Sequence, residues 1–153
     1  MQDLVFSSPV GNLRVTCQDN QLAGVHLNSE GLLSGPSTDL QQYILNQFES
    51  YFASFNFVFS LPILQQGTEH QKKVWAYLAS IPTGEVRTYG EVAKVIGSSA
   101  QAVGNACRHN PLPIVVPCHR VVAASDIGGF SGATDGELLN IKRFLLKHEG
   151  LAY

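Results

Sequence analysis

The sequence predicts an α+β fold in two parts, a small sheet-and-helix domain over residues 1–65 and a largely helical domain over residues 66–153. Three observations support this prediction: short alternating apolar runs near the N-terminus, an apolar stripe at helical spacing behind them, and a change of texture after Pro62. A chain of 153 residues is long enough to bury a core without disulfides or a structural metal.

The N-terminal part opens with three short apolar runs that predict a β-meander. They are Leu4-Val5-Phe6, Leu13-Arg14-Val15 and the stretch from Leu22 to Leu27, and turn residues separate them. A loop rich in Gly, Ser and Pro follows. The next apolar side chains recur at helical spacing and predict a core helix; they are Leu40, Tyr43, Ile44, Phe48, Tyr51 and Phe52.

The C-terminal part predicts a helix-turn-helix. Thr68, followed three residues later by Gln71, indicates the start of a first helix, which the segment Pro82-Thr83-Gly84 ends. A short helix from Tyr89 to Ile96 is joined by the tight turn Gly97-Ser98-Ser99 to a third helix that begins at Ala100. Two short helices around a tight turn are typical of DNA-binding proteins.

The third helix carries a polar face that suits contact with DNA. Gln101, Asn105 and Arg108 stand at i, i+4 and i+7 and therefore share that face. Ala102 and Gly104 flank it, so the helix backbone can approach a narrow groove closely. A solvated face on a core helix explains the same pattern equally well.

Charge places any polyanion partner on the C-terminal part. The net charge is −2, but residues 1–65 carry one base against five acids, whereas residues 66–153 carry nine Lys and Arg against seven acids. An excess this small predicts a modest and salt-sensitive affinity for DNA.

The cysteines and the start of the chain define further expectations. Cys17, Cys107 and Cys118 are odd in number and lack metal-ligand spacing, so we expect no disulfide framework and no metal site. The chain shows neither a secretory signal nor an apolar run long enough to span a bilayer. We expect a soluble, cytoplasmic protein.

Cys118 is the candidate nucleophile. The apolar run Ile114-Val115-Val116 predicts a short buried strand that delivers Cys118 to a surface. His119 is adjacent, but neighbouring residues of a strand point to opposite faces, so contact needs a turn or a bridging water. Glu149, at the end of a helix predicted from about Glu137, is a candidate acceptor that would orient His119. In isolation, such a pair is more often a buried structural thiol beside a core histidine.

Six short motifs follow one another in the C-terminal part: Tyr89-Gly90-Glu91-Val92-Ala93, Ala102-Val103-Gly104, Asn110-Pro111, Pro113-Ile114, Pro117-Cys118-His119-Arg120-Val121 and Lys142-Arg143-Phe144-Leu145-Leu146. In this order they closely resemble the O6-alkylguanine-DNA alkyltransferases (methylated-DNA–protein-cysteine methyltransferases) over residues 66–150, and this resemblance favours a reactive Cys118 over a structural thiol. The resemblance implies a ribonuclease H-like N-terminal domain and a C-terminal winged helix-turn-helix domain that carries the reactive cysteine.

The same resemblance implies the function. The protein would transfer an alkyl group irreversibly from O6 of guanine, and also from O4 of thymine, in double-stranded DNA to its own cysteine. It would bind the minor groove, flip the damaged base out, act once and need no cofactor. We expect a monomer without a membrane partner.

Roles for individual residues also follow from the resemblance. The implied catalytic residues are Cys118 as alkyl acceptor, His119 as base through a water, Glu149 as its orienting carboxylate and Asn110 as the hinge after the recognition helix. The implied residues around the base are Tyr89, Val121, Ser131 and Lys142, and those toward DNA are Gln101, Ala102, Asn105, Arg108 and Arg120.

Two departures from the family pattern bear on activity. Gln101 stands where the family usually has an arginine finger that fills the gap left by the flipped base. A glutamine is shorter and lacks the charge, so we predict less effective flipping. Phe130 replaces a frequent tyrosine, and the loop from there to Lys142 is longer than usual, which bears on the size of alkyl group that the pocket admits.

Three other functions compete. A lesion-recognition relative of the alkyltransferases would bind damage without the acceptor cysteine, which this chain keeps. A winged-helix regulator would use Cys118 as an alkylation or redox sensor. A thiol hydrolase would turn over repeatedly, whereas an alkyltransferase stops after one equivalent.

Overall fold

The computed structural model describes residues 2–130 and 136–153. The chain divides into two compact units, Met1–Gln65 and Gln66–Tyr153. The observed elements confirm the predicted α+β class. In chain order they are β1 (Leu4–Phe6), β2 (Leu13–Gln18), β3 (Gln21–His26), α1 (Asp39–Ala53), α2 (Glu69–Ala79), β4 (Arg87–Thr88), α3 (Tyr89–Ile96), α4 (Ala100–Arg108), a 3-10 helix (Cys118–Arg120), β5 (Val121–Val122) and α5 (Glu137–His148).

The first unit contains the predicted β-meander. β1, β2 and β3 form an antiparallel sheet in that order. Asp19 and Asn20, which join β2 to β3, have φ angles of 52° and 58°. Positive φ at both central residues is the requirement of a tight hairpin turn whose twist matches the strands, and Asp and Asn tolerate it better than most residues.

A helix packs the apolar core of this unit. α1 begins after Thr38, whose side chain accepts a hydrogen bond from the backbone N–H of Gln41. The buried core side chains of the unit come from the sheet and from one face of α1; they include Leu4, Leu13, Val15, Leu22, Ile44, Phe48 and Tyr51. The aromatic stripe of α1 therefore serves packing.

The second unit is mainly helical. The Thr68 side chain accepts from the backbone of Gln71, and the Gln71 side chain accepts from the Thr68 N–H, so the predicted capping box starts α2. Trp75, the single tryptophan of the chain, is 1% exposed and donates from Nε1 to the Ala106 carbonyl at 2.9 Å. α2 thereby fixes the back of α4.

The two short helices that the sequence predicts around the turn Gly97-Ser98-Ser99 are α3 and α4. Gly97 ends α3 in the left-handed conformation, with a φ of 73° that suits glycine. Ser99 then caps α4 through its side chain, which accepts from the Ala102 N–H. No helix among the described residues has both the length and the apolar character needed to cross a lipid bilayer.

Candidate active site

A two-stranded parallel sheet brings two parts of the site together. Arg87 pairs with Val121 and Thr88 with Val122 across β4 and β5. Thr88 also caps α3 in a box with Glu91, so Tyr89 is the first residue of that helix. The 3-10 helix that holds Cys118 directly precedes β5. The sheet therefore places the start of α3 beside the cysteine segment.

The exposed and buried faces of α4 are those that the sequence predicts. Gln101, Asn105 and Arg108 are exposed, and Ala102 is half-buried between them and the core. The opposite face, formed by Val103, Ala106 and Cys107, is buried. The exposed face is uncharged except for Arg108, so attraction to phosphate depends on few groups.

The prediction of a strand at Ile114–Val116 is wrong. The segment after Asn110 is a series of turns in which the Val116 N–H donates to the Leu112 carbonyl at 2.8 Å, and Ile114 has a φ of 76°. Pro111, Pro113 and Pro117 explain this, since a proline has no N–H for a strand ladder and fixes its own φ.

Asn110 organises these turns through its side chain. Its Nδ2 donates to the Val116 carbonyl at 2.9 Å, and its Oδ1 accepts from the Leu112 N–H at 3.0 Å. The Asn110 side chain also hydrogen-bonds Cys118. One side chain thus links the end of α4 to the cysteine, which is the geometry that the hinge hypothesis requires.

Cys118 lies inside the unit and not at a surface, which corrects the expectation from the strand. Pro117, with φ −80° and ψ 68°, centres a tight turn in which the Cys118 N–H donates to the Val116 carbonyl at 2.8 Å. The Cys118 residue is only 4% exposed. Burial raises the pKa of its thiol, and the hydrogen bond from Asn110 and the charge of Lys142 oppose that rise only in part. At neutral pH the group is a thiol that needs a base.

His119 and Glu149 form a buried pair. The Nε2 of His119 lies 2.7 Å from Oε2 of Glu149, and both side chains are fully buried. Burial lowers the pKa of His119 despite the neighbouring carboxylate. Burial alone would raise the pKa of Glu149, but hydrogen bonds from His119 and Arg120 outweigh it and hold that pKa well below its usual range. The contact is therefore a hydrogen bond from a neutral imidazole to a carboxylate.

This hydrogen bond determines which imidazole nitrogen can take a proton. Because Nε2 of His119 donates to Glu149, the lone pair of the neutral ring lies on Nδ1. Nδ1 is buried and has no hydrogen-bond partner among the residues that the structure describes. The site thus offers a basic nitrogen in the residue that follows Cys118.

Arg120 does not face solvent, and the expectation that it contacts DNA is wrong. Its residue is 8% exposed, and its guanidinium donates to Glu149, to the Ile81 carbonyl and to Thr83. A guanidinium occupied by buried acceptors cannot also bind phosphate. Ile81 and Thr83 were missed by the sequence analysis, because the turn after α2 carries no local signal for a site 37 residues later.

Lys142 ties the residues around β5 together. Its Nζ donates to the Val121 carbonyl at 2.7 Å and to the Gly129 carbonyl at 2.8 Å, and it lies 6.0 Å from the centre of the Tyr89 ring. The residue is fully buried, and burial lowers its pKa to about 8. The Val121 and Gly129 carbonyls are therefore each held by the same buried cation.

Tyr89 lies in a slot between glycines. A Cβ on Gly104 would lie 3.8 Å from the ring, and a Cβ on Gly128 would lie 3.0 Å from it. Burial raises the pKa of Tyr89 to about 12, so the phenol keeps its proton and can donate it in a hydrogen bond. Its present contact, to the Gly129 carbonyl at 3.5 Å, is long and therefore weak.

Other elements of the expected site can be placed as follows. Phe130 is buried at the end of the described loop. Ser131 lies outside the described residues. Among residues 2–130 and 136–153, no group of three or more His, Cys, Asp or Glu side chains is arranged to hold a metal ion. Cys17, Cys107 and Cys118 are free thiols.

Comparisons with known proteins agree with this geometry. Residues 69–151 match the model of the 6-O-methylguanine DNA methyltransferase, DNA binding domain. A methylated-DNA--protein-cysteine methyltransferase from Methanosarcina acetivorans is 39% identical over 95% of this chain and 96% of its own length.

Two solved structures share the fold. The O6-methylguanine methyltransferase of Mycobacterium tuberculosis has a TM-score of 0.82 and 34% identity, and covers 97% of this chain and 92% of its own. The same organism's OGT in complex with DNA has a TM-score of 0.81 and 33% identity, with 97% and 93% covered. From the matched domain and these relatives, the chain belongs to the 6-O-methylguanine DNA methyltransferase family.

Proposed function

We propose that this protein repairs DNA by moving an alkyl group from O6 of guanine to the sulfur of Cys118, once and irreversibly. The observation that carries the proposal is the buried contact of 2.7 Å between His119 and Glu149, which leaves a basic nitrogen in the residue next to the thiol. The names of the relatives support the same reaction, and a solved neighbour bound to DNA supports DNA as partner.

The first step is binding and base flipping. The exposed face of α4, with Gln101, Asn105 and Arg108, would enter the minor groove, where half-buried Ala102 permits close approach. A base inside the duplex cannot present its alkyl carbon to a buried thiol, so it must leave the stack at a cost of a few kcal/mol. Gln101 would occupy the gap that the base leaves.

The second step is recognition of the flipped guanine. The Val121 carbonyl and the backbone near Ser131 would read the base edge, while Lys142 holds Val121 and Gly129 in place. Tyr89, protonated and only weakly bonded in its slot, would turn its hydroxyl to the guanine ring. The same contacts suit O4-alkylthymine as a second substrate.

The third step is alkyl transfer. A water would carry the Cys118 proton to Nδ1 of His119 while Glu149 stabilises the imidazolium that forms. The sulfur then attacks the alkyl carbon in line, forming the S–C bond as the C–O6 bond breaks. The departing guanine takes a proton from the Tyr89 hydroxyl, and the proton held by the His119 imidazolium passes through solvent to restore the Tyr89 phenol. A thioether and an intact guanine result.

The division of the chain into two compact units supports separate roles for its two halves. We propose that residues 1–65 form the ribonuclease H-like structural domain, and that residues 66–153 form the winged helix-turn-helix domain that binds DNA and accepts the alkyl group. A single unit holds all described residues of the reaction, so we expect the protein to act as a monomer. None of the steps needs a cofactor.

The burial of Cys118 disfavours the competing role of oxidant sensor. Sensor cysteines are solvent-accessible and have low pKa values. Cys118 is 4% exposed and burial raises the pKa of its thiol. A protein that only recognises lesions would need neither an acceptor cysteine nor the basic nitrogen of His119.

Intact mass measurement tests the proposal. Wild-type protein incubated with a duplex containing O6-methylguanine should gain one methyl group, and then no more. The variant Cys118→Ser should gain none, while Cys107→Ser and Cys17→Ser, which change the other two thiols, should still gain one. No adduct on wild type, or an adduct that survives in Cys118→Ser, would contradict the proposal.

A further inference from the structure

Arg120 stands where three segments of the second unit meet. Its Nη1 donates to the Ile81 carbonyl at 2.6 Å, and its Nη2 to Thr83 Oγ1 at 3.1 Å, both in the turn after α2. Its Nε donates to Oε1 of Glu149 at 2.8 Å, and Nη2 also reaches Oε2 at 3.1 Å. The guanidinium thus joins the 3-10 helix, the α2 turn and the end of α5.

The contact with Glu149 is two-pronged and shares an oxygen with His119. Oε1 accepts from Nε of Arg120, whereas Oε2 accepts from both Arg120 and His119 Nε2. Two parallel bonds from a planar fork fix the plane of a carboxylate as one bond cannot. The direction in which Oε2 meets the imidazole is therefore set by Arg120.

We propose that Arg120 is a positioning residue for alkyl transfer, which holds the Glu149 carboxylate in the plane that orients His119 toward the Cys118 proton. This inference rests on the proposed function. Arg120 is also hydrogen-bonded to the turn after α2. It therefore ties the Glu149 carboxylate to that turn as well as to the end of α5.

Arg120 also affects the charge state of the base. The charged groups that act on His119 are Glu149 and Lys142 from α5, and Arg120 from the 3-10 helix itself. The α2 turn contributes the uncharged Ile81 carbonyl and Thr83 hydroxyl. Burial is the main cause of the neutral imidazole, and the charges of Arg120 and Lys142 add to it against the effect of Glu149 on the pKa of His119. Without Arg120, the pair of His119 and Glu149 would bind a second proton at higher pH, and Nδ1 would be blocked.

Two substitutions separate position from charge. Arg120→Met keeps much of the side-chain volume but removes the fork and its charge. Arg120→Lys keeps the charge and loses the fork. Single-turnover methyl transfer from an O6-methylguanine duplex would be measured from about pH 5 to about pH 9.

We expect Arg120→Met to slow transfer about tenfold or more, since a positioned base contributes about 10²–10⁴-fold. Its acid limb should move to higher pH, because His119 keeps its extra proton to higher pH. Arg120→Lys should restore the limb and not the rate. Arg14→Met, which removes an arginine paired at 3.4 Å with exposed Asp3 in the first unit, is the control and should leave both unchanged.

A double-mutant cycle tests whether Arg120 acts through Glu149. In a Glu149→Gln background, Arg120→Met should slow transfer by less than about threefold further. Independent, multiplicative losses would overturn the proposal, as would an unmoved acid limb in Arg120→Met. If Arg120→Met fails to fold, the same double-mutant cycle is measured with Arg120→Lys, and the transfer rate is the readout.

A second measurement works without DNA. Cys118 is alkylated with iodoacetamide, and peptide mass spectrometry compares its rate of labelling with those of Cys17 and Cys107. The pH dependence of Cys118 labelling reports on the His119 base over the same pH range. Wild type that reacts with iodoacetamide but gains no methyl from DNA would contradict the proposed function alone. An unchanged iodoacetamide profile in Arg120→Met would overturn the role of Arg120 whatever the DNA substrate does.

Discussion

Replacing Glu149 by glutamine should separate folding from chemistry. The carboxylate is 2% exposed and accepts bonds of 2.7 Å from His119 and of 2.8 and 3.1 Å from Arg120. A neutral amide accepts only through its oxygen and leaves the Arg120 guanidinium buried without a counter-charge. Breaking one side of a buried ion pair costs about 3–5 kcal/mol. We expect the free energy of unfolding to fall by that amount.

The rate should suffer more than the stability suggests. Glutamine no longer favours the imidazole form with its proton on Nε2, and it cannot stabilise the imidazolium of His119. We expect the single-turnover rate of the folded protein to drop by about 10²–10⁴-fold. Rates would be measured on a methylated duplex at a temperature where circular dichroism shows the variant to be folded.

The pH dependence of stability gives an internal check. The pKa of Glu149 is depressed in the folded protein, so its contribution is fully present above the ordinary carboxyl value of 4.5 and is lost as pH falls toward the folded pKa. The difference in unfolding free energy between wild type and Glu149→Gln should therefore be largest near neutral pH and shrink below about pH 4.5.

The control is a carboxylate with similar geometry and no burial. Glu85 lies 2.9 Å from Arg87, but its side chain is 50% exposed. Glu85→Gln should change the unfolding free energy by about 0–1 kcal/mol, as exposed pairs do. If urea titrations gave equal losses for the two variants, or a Glu149→Gln loss independent of pH, the reasoning from burial would be refuted.

Three further predictions concern the groups around the base. Gln101→Arg should speed repair of duplex DNA several-fold by restoring a charged finger, and equal single-turnover rates for the two proteins would contradict this. Lys142 has a pKa of about 8, so methyl transfer should slow as the pH rises through that value and the ammonium charge that acts on Cys118 is lost. In single-turnover assays, Lys142→Met should be slow at every pH and should lack this decline at alkaline pH. Gly128→Ala should destabilise the protein by about 1–3 kcal/mol in urea titrations and slow transfer. The reason is that φ is +73° at this position and the new Cβ would lie 3.0 Å from the Tyr89 ring and 3.1 Å from the Ala123 nitrogen. If Gly128→Ala had the stability and rate of wild type, close packing of Gly128 against Tyr89 would be excluded.

Local patterns predicted most of the elements. The capping pair Thr68 and Gln71 starts α2 as expected, and the spacing of Gln101, Asn105 and Arg108 gave the exposed face of α4. Such signals succeed because caps and amphipathic faces depend on residues within one or two turns of one another.

The cysteine segment shows where local patterns stop. Ile114-Val115-Val116 has strand composition, but the flanking Pro113 and Pro117 deny it a ladder, and the side chain of Asn110 supplies hydrogen bonds instead. The expectation that Arg120 contacts DNA followed from the family resemblance alone. Its acceptors lie 29 to 39 residues away in the chain, a distance over which spacing carries no information.

The bond from Trp75 to the Ala106 carbonyl has a practical consequence. A single indole, 1% exposed, touches the back of the helix whose front is expected to enter DNA. Its intrinsic fluorescence therefore reports from behind α4 without a label, and a shift of that helix would change its emission. Quenching experiments with acrylamide could thus time DNA engagement separately from the later covalent step.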